Sequence, residues 1–183
     1  WSGVGIDDQA TVILERNYIA ENGEIGIAFF GDSQGTVRNN TSINNGKSGF
    51  AAQEQAQATV ENNTFENNTE AGITLLGSCN VTIRRNAISG NALSGILVQD
   101  NAQGIIEDNL ASNNGEAGIA LNDFASPSVL LNQCTGNGLS GIIIKDNAQG
   151  IIEDNIASNN VEAGISLHDF ASPNVRRNQC TGN

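Results

Sequence analysis

The 183 residues carry a net charge of −12, which excludes partners built on phosphates, because nucleic acid and anionic membrane surfaces both require Lys and Arg. Aromatic residues make up only 4% of the chain and Met is absent, too little bulk for a broad globular core. A narrow interior, as in a solenoid whose repeats bury themselves on their neighbours, fits that composition.

Written in rows of twenty-three from Ser2, the chain runs through eight rows without an insertion, the eighth reaching position twenty-one at Asn183. The second position is Gly in every row: Gly3, Gly26, Gly49, Gly72, Gly95, Gly118, Gly141 and Gly164. Apolar residues follow at the third position (Val4, Ile27, Phe50, Ile73, Ile96, Ile119, Ile142, Ile165) and at the fifth (Ile6 to Leu167). The alternation with varied residues between them predicts a first strand. Position nine is uniformly small, from Ala10 to Ala171, and suits a tight inward corner. A second strand centres on position thirteen (Leu14, Val37, Val60, Ile83, Ile106, Val129, Ile152, Val175), and a short third strand on position eighteen (Ile19 to Cys180). No row holds the i, i+3, i+4, i+7 stripe of a helix, and the Leu framework of leucine-rich repeats is missing. The expected fold is all-β: a parallel β-helix, or solenoid, of eight rungs of 23 residues with three short strands per rung. It forms one domain over residues 1–183 and is expected to be a segment of a longer protein. No run of about eighteen apolar residues offers a membrane-crossing helix.

Two Asn columns run the length of the stack. Position sixteen holds Asn17, Asn40, Asn63, Asn86, Asn109, Asn132, Asn155 and Asn178; position twenty-one runs from Asn22 to Asn183. Asn tolerates the left-handed backbone of a sharp corner, and stacked amides can bond rung to rung. Both columns read as structural ladders. Position fourteen alternates in sign (Glu15, Arg38, Glu61, Arg84, Glu107) and again at Glu153 and Arg176, which penalises register slips. Cys134 and Cys180 share a column two rungs apart, roughly 10 Å, too far for a disulfide. With Cys79 they read as small buried apolar residues.

Ser140–Glu162 (SGIIIKDNAQGIIEDNIASNNVE) is one complete unit, and its pattern, GI-x-[LIV] … GIIEDN … NN … AGI-x-L, extends over the whole chain. This pattern resembles the parallel β-helix repeats of carbohydrate-binding and sugar-hydrolase-type domains. It is similar to NosD-like periplasmic proteins, alginate C5-epimerases, pectate lyases and the β-helix region of an F-box substrate receptor. The last has the closest texture, through Ser172-Pro173-Asn174-Val175-Arg176-Arg177-Asn178. The resemblance implies a right-handed coil.

A polysaccharide lyase or epimerase of this fold needs a cation to neutralise the uronate carboxylate, a base for the C5 proton, and cleft walls. The candidate patch follows the first strand of the C-terminal rows. Position six offers Asn122, Lys145 and His168; position seven offers Asp123, Asp146 and Asp169, continuing from Asp100; position eight offers Phe124 and Phe170. Carboxylates stacked at about 4.8 Å repel and would recruit a hard cation such as Ca²⁺. The Phe rings would stack on sugars, and Lys145 or His168 would serve as base. Against this, Asp is common at turns because it bonds its own backbone, and the Phe rings could cover the corner beside Pro127 and Pro173. Rows of fixed length grow no cleft wall. The Asp-Pro-His-Asp type run of alginate epimerases is also absent, since Leu167-His168-Asp169-Phe170 lacks the Pro. No catalytic residue is assigned.

The expected function is a non-catalytic binding or scaffold domain for polysaccharide or protein, in a secreted or surface setting. It takes no cofactor unless Ca²⁺ occupies the Asp column, and neither nucleic acid nor membrane is a partner. Two alternatives stay open: a fragment of a polysaccharide lyase or uronate C5-epimerase, and a spacer or filament assembling end to end.

Overall fold

In the computed structural model, which describes residues 1–183, each row forms one rung of three strands. Val4–Ile6, Thr11–Glu15 and Tyr18–Ala20 make the first rung; Ile165–Leu167, Asn174–Arg176 and Gln179–Thr181 make the last. The strands stack as three eight-stranded parallel sheets, one per face of the coil. Val4 lies opposite Ile27, Thr11 opposite Gln34 and Tyr18 opposite Thr41. The same 23-residue step carries the side-chain ladders described below.

The inward positions follow the strand alternation. Ile27, Phe50, Ile73, Ile96, Ile119 and Ile142 at position three are wholly buried, and so are Val37 through Ile152 at position thirteen. Each such side chain contributes about 1.5–3 kcal/mol through burial. Three rings form an aromatic stack in the second and third rungs, with centroids 5.6 Å apart for Phe29–Phe50 and 6.4 Å for Phe50–Phe65. Position two must be Gly because the third strand closes on it. A Cβ on Gly118 would lie 2.7 Å from the Gly141 carbonyl oxygen and 2.8 Å from Cys134 Cβ.

The second-face strand has five residues in rungs one to five and three in rungs six to eight. Pro127 and Pro173 explain the shortening in rungs six and eight, because neither has an N–H to donate to the ladder. Gly150 stands between them with φ +112°, a conformation open to Gly.

Both Asn columns form amide ladders, but the backbone reason differs from expectation. None of the Asn residues at positions sixteen and twenty-one has positive φ; the residue before each corner Asn does, as at Asn39, Arg85 and Leu131 and at Asn44, Asn67 and Asn113. The left-handed residue reverses the chain, and the Asn after it tucks its amide into the coil. Asn109 Nδ2 donates to Ile83 O (3.0 Å), Glu107 O (3.0 Å) and Asn132 Oδ1 (2.9 Å), while its Oδ1 accepts from Asn86 N and Nδ2, both at 3.0 Å. Buried polar groups so fully paired fix the register as firmly as the apolar core does.

The charge column pairs as expected between neighbouring rungs: Arg38 with Glu15 at 3.0 Å, Arg84 with Glu61 at 2.9 Å and Arg176 with Glu153 at 2.7 Å. Rung six breaks the pattern with Leu130 and Leu131, where rungs four and eight carry Arg84–Arg85 and Arg176–Arg177. All three cysteines are free. Cys79 and Cys134 are buried, whereas Cys180 is exposed, because within residues 1–183 no further rung covers its side of the coil.

Candidate functional site

The outer surface of the first face is built from position four of each rung, flanked by position six on one side and by position twenty-three of the preceding row on the other. In the first half of the chain this strip holds only small residues at position four, Gly5, Ala28, Ala51 and Thr74, and Ala28 and Ala51 are buried. In the second half it opens into a groove of about 330 Å³. Leu97, Ala120 and Ile143 make its floor, Asn122, Lys145 and His168 one wall, and Glu116, Leu139 and Glu162 the other.

Three of the residues singled out from sequence therefore share a wall, on successive rungs about 4.8 Å apart. Backbone bonds from Lys145 N to Leu121 O (3.0 Å) and from His168 N to Ile144 O (2.9 Å) hold them in that order. Lys145 and His168 are exposed. Asn122 is only 7% exposed, and its side chain makes no hydrogen bond to the protein: Oδ1 is sheltered from water without a partner. An unpaired buried amide end costs about 1–3 kcal/mol, so a ligand that reaches it gains binding free energy.

The Asp column lies one residue further round the corner and does different work. Asp100, Asp123, Asp146 and Asp169 all adopt φ between 56° and 59°. Each carboxylate accepts a backbone N–H from the rung before it: Gly77 N to Asp100 (2.8 Å), Asp100 N to Asp123 (3.2 Å), Asp123 N to Asp146 (3.2 Å) and Asp146 N to Asp169 (3.4 Å). The turn bond thus runs across rungs, not to the residue's own backbone. Spread one per rung, these carboxylates form a ladder, and no three His, Cys, Asp or Glu side chains come together as a metal-sized cluster. Phe124 and Phe170, at 61% and 80% exposed, project from the corner beyond the groove and do not cover it.

Sequence reasoning missed the floor and the acidic wall. Leu97 and Ile143 were legible only as varied outward positions of a strand, and Glu116 and Glu162 as ends of the preceding rows. Their one signal is that apolar residues occupy a column whose alternation assigns it to solvent. A second hollow, of about 310 Å³, lies on the second face, lined by Gln34, Gln57, Thr59, Asn80 and Thr82. None of its lining residues is ionisable, so it offers hydrogen bonding without proton transfer.

These features define a parallel β-solenoid with an outward-facing groove on one sheet. The family described as "Right handed beta helix region" matches residues 2–98 and 55–183, and the chain belongs to it. No curated protein matches the chain. A double mutant of the periplasmic alginate epimerase AlgG is similar in structure, with a TM-score of 0.91 and 20% identity over 98% of this chain and 47% of that one. A single mutant of the same epimerase gives 0.83 and 19% over the same shares of the two chains. The A-module of the Azotobacter vinelandii mannuronan C-5 epimerase AlgE4 gives 0.66 and 18%, over 86% of this chain and 59% of that one. At these identities the likeness is one of fold, and the chain spans about half the length of AlgG. No helix of the chain is long and apolar enough to cross a membrane.

Proposed function

We propose that this β-helix binds an extended polysaccharide lengthwise in the first-face groove of rungs five to eight. One observation carries the reading: an apolar floor is flanked by hydrogen-bonding walls, with the unpartnered amide of Asn122 among them. A flat apolar strip suits the face of a sugar ring, and the polar walls suit its hydroxyls. Likeness to polysaccharide-acting epimerases supports a carbohydrate ligand, and a periplasmic, secreted or surface setting goes with a polymer of that kind. Affinity electrophoresis through gels cast with different polysaccharides tests it. Retardation by at least one polymer, relieved by Lys145→Ala with His168→Ala, is the expected result; migration unchanged in every gel would refute it.

A second reading, a piece of a uronan C5-epimerase, is favoured by those neighbours and by His168 beside Lys145 in the groove. His168 would take the C5 proton while the Lys145 ammonium offsets the substrate carboxylate, and a proton returned to the opposite face would complete the inversion. Proton NMR of mannuronan incubated with the chain tests it: guluronate signals that vanish in His168→Ala support the reading, and an unchanged polymer removes it.

A further inference from the structure

The groove's charge names its ligand more narrowly. Two carboxylates line it, Glu116 and Glu162 on one wall, and four more follow one residue beyond the other wall, at Asp100, Asp123, Asp146 and Asp169. Against them stands one ammonium, Lys145, since residues 93–101, 116–124, 139–147 and 162–170 contain no other Lys or Arg. The whole chain adds to this field with its net charge of −12. A polyuronate, with a carboxylate on every sugar, would approach like charge at every rung.

The hydrogen-bonding inventory points the same way. Glu116 and Glu162 are acceptors only, and Ser94 Oγ already donates to Glu116 Oε2 at 3.3 Å. Asn122 Oδ1 is an acceptor with no donor. Oδ1 is the sheltered end of that amide, and a half-turn about the last side-chain torsion would present it to a ligand's donor while turning Nδ2 inward in its place. An acceptor-rich, anionic groove with an apolar floor fits a ligand that brings N–H donors and positive charge. We propose that the ligand of this groove is a polysaccharide bearing ammonium groups, an amino-sugar polymer, and not a uronan. The proposal rests on the polysaccharide-binding reading above. Ammonium groups would sit between Asn122 and the carboxylates of Glu116 and Glu162, with sugar faces on Leu97 and Ile143.

Calorimetric titration of the chain with an N-deacetylated glucosamine oligomer, its N-acetylated counterpart and an oligomannuronate of equal length tests the proposal. The titrations are run at mildly acidic pH, where the amine is charged, first in EDTA and then in Ca²⁺. In EDTA the deacetylated oligomer is expected to bind at least about tenfold more tightly than either of the others, the worth of one or two charge-assisted hydrogen bonds. Glu116→Gln with Glu162→Gln should weaken it about tenfold, and Asn122→Ala about threefold. The same charge removed from the third face, by Glu21→Gln with Glu66→Gln, should change it less than about twofold. Equal or tighter binding of the oligomannuronate, with or without Ca²⁺, overturns the ammonium assignment and leaves the groove reading standing. So does equal binding of the N-acetylated oligomer. Equal weakening by the third-face changes reduces the effect to bulk charge and overturns it too. If no oligomer binds, both readings fall together.

Discussion

Rungs two to four and rungs five to eight share one backbone and differ in what they bury and what they show. The earlier rungs pack Phe29, Phe50 and Phe65 inward and set Ala28 and Ala51 outward, where both are buried. The later rungs pack Ile, Val, Ala and Cys inward and set Leu97 and Ile143 outward beside Asn122, Lys145 and His168. Inward volume is traded within the coil: Phe50 shares its strand with Ala52, and Leu121 shares its rung with Cys134. The coil therefore constrains the sum of its inward residues and the Asn ladders. It leaves the outward positions of each sheet open to function.

If the ladders set the register of both halves, a single added residue should do more harm than any substitution. An insertion between Ile152 and Glu153 would carry Asn155 and Asn160 out of line with Asn132 and Asn137 and orphan several buried amide bonds. At about 1–3 kcal/mol for each unsatisfied group, the loss exceeds about 5 kcal/mol. Thermal unfolding followed by circular dichroism checks this, and a melting temperature equal to that of the parent would break the argument.

The aromatic stack offers the next test. Phe50→Ala removes the middle ring, which contacts both of its neighbours, and should cost about 3–5 kcal/mol in urea unfolding. Just below it comes Asn109→Ala in the middle of its ladder, at about 2–4 kcal/mol, because its amide makes five bonds on a buried site. Gly141→Ala is smaller, about 1–3 kcal/mol, since its new Cβ would meet Ala157 Cβ and Gly164 O, both at 2.7 Å. A Gly141→Ala variant as stable as the parent would show that the second half is more loosely packed than the first.

The strands, the three faces and both ladders were legible in the sequence because each depends on spacing alone. A fixed period of 23 puts like residues over like, and alternation of two separates inside from outside. Geometry that depends on which way a corner turns was not legible. The left-handed residues are the ones before the Asn columns; many are Asn, Asp or Gly, as at Asn113, Asp154 and Gly136, but Arg16, Arg85 and Leu131 take the same conformation with no chemistry that marks them out. Asp146 reads in the sequence as one member of an Asp column that could recruit Ca²⁺; the N–H bond its carboxylate accepts from Asp123, across the rungs, was not legible. Of the residues singled out in the sequence, Asn122, Lys145 and His168 come together along one wall of the groove. The other wall comes from Glu116 and Glu162, which lie at the ends of the preceding rows and reach the groove only when the corner folds.

The smallest expected effect compares the two halves directly, because each buries one thiol. Burial pushes the Cys79 thiol from an ordinary 9.0 up to about 11, and the Cys134 thiol up to about 12. An unfolded chain releases these protons near 9.0, before the folded chain does, so it binds fewer protons above that pH. Stability is accordingly unaffected at neutral pH and falls as pH rises past 9.0, with Cys79→Ala and Cys134→Ala each flattening the fall. At neutral pH an aromatic disulfide reagent should label exposed Cys180 at once and the other two only as their rungs open. The labelling rates of Cys79 and Cys134, measured separately in single-thiol variants, then report the opening of the aromatic half and of the groove half. If the shared ladders govern opening, the two rates should agree within about threefold. A much faster Cys134 would mean that the groove sits on the softer half of the coil, where a ligand could order its own site.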